Sequence, residues 1–219
     1  MYQLYYFPRN ASWAPHMLLH EMALAHKLVL VDRKSEQQKS EQYLKLNPTG
    51  RIPTLVYKDK GVDKVIVESA AIGIHLCERH PEHELIPAVG SDVRPEFFEW
   101  LFYLTSSLQS ELMLYFYPEK HTSVGEDALK QRQEARVIEM LAHIDRALVC
   151  KEAGKEFLLG NPLSLCDFFL FMLCHWASGL TKPPLAFEHL GAYLRRFAQR
   201  PSVQKAAEIE GTSLSAYQR

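Results

Sequence analysis

Strand-forming text fills only the early part of this 219-residue chain, and that asymmetry restricts the fold more than any other feature. Residues 2–7 are rich in strand-favouring aromatics and stop at Pro8. Ser12 opens a helix that tolerates Pro15 in its first turn, and Leu18, Met22 and Ala25 carry its register to about His26. Leu28 to Val31 form a continuous apolar run, which predicts an internal strand. A polar stretch ends in the turn signal Asn47-Pro48-Thr49-Gly50. Two β runs, Thr54 to Lys58 and Val65 to Val67, flank Asp59-Lys60-Gly61 and predict a hairpin. Ser69 then opens a helix carrying Ile72, Ile74, Leu76 and Cys77. The predicted order over residues 1–80 is β-α-β-α-β-β-α, a compact α/β unit.

Pro81, Pro87, Gly90 and several charges mark residues 81–92 as a linker. From 93 to 219 strand signals disappear and an α-helical domain is predicted. Leu101, Leu104, Leu108, Leu112 and Tyr115 keep helical spacing, as do Val137, Leu141, Ile144 and Leu148. Further helices are expected near 165–178 and 187–199. The aromatic and Met stripes at Phe97, Phe98, Trp100, Phe168, Phe169, Phe171 and Met172 are explained by a bundle core. Ser164-Leu165-Cys166-Asp167 reads as a capping box, a structural device rather than a Ser/Asp catalytic pair.

Twenty-five Lys and Arg against 26 Asp and Glu leave no cationic excess for a phosphate backbone, so nucleic acid is not an expected partner. No apolar run reaches the ~18–20 residues of a membrane helix, and the amino terminus lacks a secretory pattern. Cys77, Cys150, Cys166 and Cys174 include no Cys-x-x-Cys pair, which suits reduced thiols in the cytoplasm.

Three short segments converge if the strands lie side by side. At Glu68-Ser69, a serine N-cap and nearby amides suit a carboxylate, and Glu68 can accept from an ammonium. A zwitterionic amino-acid head fits that pair; a plain helix cap with a solvated neighbour is the simpler reading. At Arg51-Ile52-Pro53, a cis bond before Pro53 would leave the Ile52 peptide groups facing outward, able to pair with a peptide-like ligand. In the loop Pro8 to Ser12, Ser12 and Asn10 offer donors at a helix start, which favours a thiolate. Ser12 makes a poor hydrolase nucleophile, with no Gly-x-Ser-x-Gly elbow around it.

Together these motifs resemble the cytosolic glutathione transferases. They stand here as Asn47-Pro48-Thr49-Gly50-Arg51-Ile52-Pro53 and Glu68-Ser69-Ala70-Ala71-Ile72, with Ser164 to Asp167 matching the family's second-domain helix box. Ala14-Pro15-His16 and Glu99-Trp100-Leu101 look most like the bacterial beta-type branch. The resemblance implies a thioredoxin-like domain followed by a helical one, and a homodimer conjugating the glutathione thiolate to a hydrophobic electrophile in detoxification. It implies that Arg51, Ile52, Pro53, Glu68 and Ser69 bind glutathione. It also implies an acceptor pocket drawing on the first long helix, with Tyr103, Ser107, Leu108, Glu111, Leu112 and Tyr115 as candidates. The chain departs from the branch at Ala11, where beta-type enzymes carry a cysteine, and at Gln109-Ser110, where they carry His-Lys. Thiol activation therefore falls to Ser12, ranked slightly ahead of Asn10, which matches the activating serine of other branches, or to backbone N–H groups at the start of the first helix. Tyr6 is a weaker candidate, expected to face the packed side of the sheet. The alternatives are a glutathione-binding protein of the same fold without catalysis, or a glutathione-dependent isomerase or reductase.

His16 and His20 lie four apart on the predicted first helix, a spacing that puts two imidazoles on one face. No third ligand is evident, and two do not fill a metal shell, so no metal is expected.

Overall fold

The computed structural model describes residues 1–149 and 156–218. It divides into two compact units: residues 1–83 together with 199–217, and residues 84–198.

The first unit is built on a four-stranded sheet in the order β2-β1-β3-β4. Strand β1 (Tyr2–Tyr6) pairs in parallel with β2 (His26–Leu30) and antiparallel with β3 (Thr54–Asp59), which forms a hairpin with β4 (Val62–Val67). Helix α1 (Trp13–Glu21) connects β1 to β2, the short α2 (Glu41–Leu44) precedes β3, and α3 (Ser69–Arg79) follows β4. Strand β2 is an edge strand, not the internal one its apolar run predicts, and Leu30 is 52% exposed. A continuous apolar run reports burial of its neighbourhood, and here only Val31, just past the strand, is buried.

Helix α1 also ends earlier than its periodicity predicts. Ala23 takes a left-handed φ of 50°, and the N–H groups of Ala23 and Leu24 close the helix on the His20 and Leu19 carbonyls at 3.1 and 2.9 Å. No glycine marks this stop. The chain turns back, and His26 becomes the first residue of β2 rather than the last of a helix.

Every residue from Trp13 to Leu19 is buried, because α1 packs against both α3 and α9 (Pro201–Glu210). Residues 199–217, which follow the helical segment in the chain, pack with the first unit. Glu21 of α1 accepts hydrogen bonds from Arg200 and Ser202, and the Arg200 Nε bond measures 3.4 Å.

The second unit is helical among its described residues. Helices α4 (Arg94–Phe102) and α5 (Gln109–Phe116) are joined by a π-helical turn over Tyr103–Leu108, and α6 (Glu126–Ala147), α7 (Leu165–Trp176) and α8 (Glu188–Phe197) complete it. Phe97, Trp100, Phe168, Phe169, Phe171 and Met172 are buried as expected, whereas Phe98 is half-exposed. Cys77, Cys166 and Cys174 are buried and form no disulfide among the described residues; Cys150 lies outside them. No helix among the described residues is long and apolar enough to cross a membrane.

The capping box at α7 is formed. Asp167 has no solvent exposure and accepts from the Ser164 N–H and hydroxyl at 2.8 and 2.9 Å, the Leu158 N–H at 2.9 Å and the Tyr193 hydroxyl at 2.8 Å. Removing the carboxylate orphans all four donors inside a desolvated core. Asp167→Ala is expected to lower the unfolding free energy by about 3–4 kcal/mol in urea denaturation; a loss below about 1 kcal/mol would contradict this account.

Candidate functional site

The sheet register gathers the three segments that the sequence singled out. Thr54, at the start of β3, pairs with Tyr5 near the end of β1 and with Val67 at the end of β4. The loop after β1, the approach to β3 and the start of α3 therefore share one sheet edge.

The approach to β3 is rigidly held. The Arg51 carbonyl accepts from the Tyr43 hydroxyl and the Asn47 side-chain amide, each at 2.7 Å, and Tyr43 also bonds Thr54 Oγ1 at 2.9 Å. Gly50 sits at φ 63°, where a Cβ would lie 3.2 Å from the Gln38 carbonyl oxygen, so the turn needs glycine. The Ile52–Pro53 bond is cis. Among the described residues neither peptide group of Ile52 has a hydrogen-bond partner. Its side chain is tucked into a small core with Val31, Tyr43, Tyr5 and Phe7. The outcome is a fixed backbone donor and acceptor beside the sheet edge. Arg51 is itself exposed. Sequence reading missed the parts played by Tyr43 and Asn47; the side-chain amide of the Asn-Pro turn was the available signal for the second.

At α3 the expected N-cap is corrected by one residue. Glu68 occupies the cap position, its carbonyl accepting from the Ile72 N–H at 2.9 Å, and Ser69 is the first helical residue. Glu68 has φ 67° and ψ 118°, a backbone setting that non-glycine residues rarely adopt. The turn leaves Glu68 exposed and Ser69 mostly buried at the helix start. No side chain caps the helix, so its first N–H groups, the Ser69 hydroxyl and the Glu68 carboxylate remain available together. A carboxylate beside an ammonium is the charge pattern that this corner matches.

In the loop after β1, Ser12 is fully buried at the N-cap position of α1, and its side chain makes no capping bond. Its hydroxyl donates to the Phe7 carbonyl at 3.1 Å and receives the Phe7 N–H at 3.4 Å. Asn10 is partly exposed, and its Oδ1 accepts the Ala11 N–H at 2.8 Å. The amide NH₂ has no partner among the described residues. Tyr6 lies on the α1 side of the sheet with its ring 6.2 Å from that of His16, and burial, then the charge of Glu210, raises its pKa. The loop is clamped from α9: Glu210 Oε2 accepts the Arg9 N–H at 2.9 Å while Oε1 holds His16 Nδ1 at 2.7 Å.

In the second unit, Leu108 and Leu112 are fully buried core residues. Ser107 is exposed. Tyr103, Glu111 and Tyr115 are half-buried; Tyr103 donates to the Met140 carbonyl at 3.4 Å and Glu111 pairs with Arg136 at 3.4 Å.

Since Tyr43 and Asn47 each leave the Arg51 carbonyl one donor when the other is removed, their losses are not independent. Tyr43→Phe is expected to cost about 1–2 kcal/mol in urea unfolding, and Tyr43→Phe with Asn47→Ala more than the sum of the single losses. Strict additivity would show that the carbonyl is not their shared target.

The chain matches the family model of the glutathione S-transferase N-terminal domain over residues 10–79 and of the C-terminal domain over residues 107–208. Glutathione S-transferase GstA of Escherichia coli O157:H7 is 28% identical over 210 residues, covering 95% of this chain and 98% of that protein. The crystal structure of a glutathione transferase from Methylococcus capsulatus is 30% identical with a TM-score of 0.82, covering 96% of this chain and 99% of that one. A bacterial beta-class enzyme from Sphingomonas chungbukensis is 28% identical with a TM-score of 0.81, covering 96% of this chain and all of that one. With a thioredoxin-like unit, a helical unit and both domain models matched in order, the chain belongs to the glutathione S-transferase family.

Proposed function

We propose that this chain is a glutathione transferase that joins the glutathione thiolate to an apolar electrophile. The observation that carries the reading is the conjunction of an unpaired Ile52 backbone with the exposed Glu68 and the uncapped start of α3. A sphingomonad glutathione S-transferase solved with glutathione, 28% identical with a TM-score of 0.80, supports it. The γ-glutamyl carboxylate would meet the Ser69 hydroxyl and the first α3 amides, the ammonium Glu68, and the cysteinyl unit would pair with Ile52 as a short added strand. Pro53 and Arg51 frame that strand. We assign the protein to cytoplasmic detoxification as a homodimer, and its acceptor region to Tyr103, Ser107, Glu111 and Tyr115, without the buried leucines.

Thiol activation is assigned to Asn10 ahead of Ser12, reversing the order expected from sequence. The Ser12 hydroxyl is buried and engaged with the Phe7 backbone on both its donor and acceptor sides. The Asn10 amide is partly exposed at the start of α1 with its NH₂ unspent. A donor there, with the positive end of the helix, stabilises a thiolate whose ordinary pKa is ~8.5.

Calorimetry tests the binding half. Ser69→Ala is expected to remove a charge-assisted bond of about 1.5–3 kcal/mol, one to two decades in glutathione affinity, with a comparable loss for Glu68→Gln. Unchanged affinity in both variants would overturn the assignment. The thiolate absorbance of bound glutathione, followed against pH, tests the catalytic half. Asn10→Ala is expected to raise the titration midpoint and Ser12→Ala to leave it in place; the opposite pattern would return the role to Ser12.

A further inference from the structure

Ending α1 at Glu21 has a chemical result. His16 and His20 stand one turn apart on α1, and the reversal through Ala23 brings His26 back alongside them. One ring nitrogen from each of the three lies within 4.8 Å of the others. The His16 and His20 Nε2 atoms are 3.1 Å apart, and the His20 and His26 ring centroids 4.8 Å apart at 81°. Two nitrogens bound to one tetrahedral ion at ~2.0–2.1 Å stand about 3.3–3.4 Å from each other. The His16–His20 pair is thus near coordination spacing, and the rings of His20 and His26 are half-buried.

The outer partners of the cluster strengthen the case. The His16 Nδ1 meets Glu210 at 2.7 Å, and neither side chain has solvent exposure. The His26 Nδ1 meets the Leu24 carbonyl at 2.7 Å. An Nδ1–H donated to each of these oxygens leaves Nε2 of both rings as the unprotonated nitrogen. Carboxylates and carbonyls play this role behind metal-bound histidines. The nearby Lys205 is paired with Glu208 at 2.8 Å.

We propose that His16, His20 and His26 form a binding site for a divalent transition metal of the zinc class, with Glu210 as the outer carboxylate. Three imidazoles and an open fourth position suit zinc, cobalt or nickel, and exclude the all-oxygen preference of magnesium and calcium. The ion would tie α1 to the edge strand β2 directly. Through Glu210 it would also tie α9 and the Arg9 loop, because the same carboxylate holds both His16 and the Arg9 N–H. This site is separate from the glutathione site and does not rest on that assignment.

The test uses the full chain without a histidine tag, titrated with cobalt(II) alone and then with zinc. One cobalt per chain with a tetrahedral absorption spectrum, displaced by zinc, is expected, together with a thermal midpoint that rises with zinc. His20→Gln and His26→Gln, both half-buried and outside the glutathione site, should abolish the spectrum and the thermal shift while metal-free glutathione affinity is kept. Glu210→Gln should weaken metal binding by roughly 10–100-fold, as expected for an outer partner. Absence of stoichiometric binding would overturn the proposal. So would binding that survives in the His20→Gln, His26→Gln double variant, or that is lost instead in a His80→Gln, His83→Gln variant.

Discussion

One buried carboxylate holds the first unit to its own carboxyl-terminal segment. Glu210, the last residue of α9, gives one oxygen to His16 and the other to the Arg9 backbone, with its side chain sealed from solvent. A charge in such a place is unfavourable unless hydrogen-bonded, so the two contacts are a condition of α9 docking at all. Arg9 has φ 58°, and its N–H would otherwise need another partner. The loop carrying Asn10 and Ser12 is thereby anchored by residues two hundred positions away. Arg200 and Ser202 repeat the device at the other end of the same helix, both on Glu21.

The half of the candidate site proposed for a peptide-like ligand is made almost wholly of backbone. Tyr43 and Asn47 immobilise the Arg51 carbonyl, the Ile52 side chain is packed away, and what remains presented is its amide and carbonyl. Preorganisation of this kind removes the ordering cost that a flexible loop would add on binding. Glu68 reaches the same end by another route, a left-handed backbone that exposes its carboxylate while burying Ser69.

How much of this was legible in the sequence depends on the range of the interactions involved. Local signals were read well: the hairpin, the helix box at Ser164, and the Asn-Pro turn all depend on residues within a few positions of each other. The end of α1 was not, because Ala23 carries the left-handed turn where glycine would have announced it. That single misreading concealed His26 as a neighbour of His16. The placement of α9 was equally hidden, since apolar periodicity says that a helix face is buried but not against what. For the same reason Leu108 and Leu112 read as plausible pocket walls although they are core. Ser12 was legible as a residue at the helix start; only the fold shows its hydroxyl turned back onto Phe7.

The return of residues 199–217 to the first unit bears on how the chain is made. During synthesis the sheet and its first three helices emerge long before the helix that finishes covering α1. Until then the buried length from Trp13 to Leu19 lacks one of its two packing helices. The amino-terminal unit therefore stays partly open until residues 199–217 have been made, a long-range closure that slows folding and extends the interval in which apolar surface is exposed.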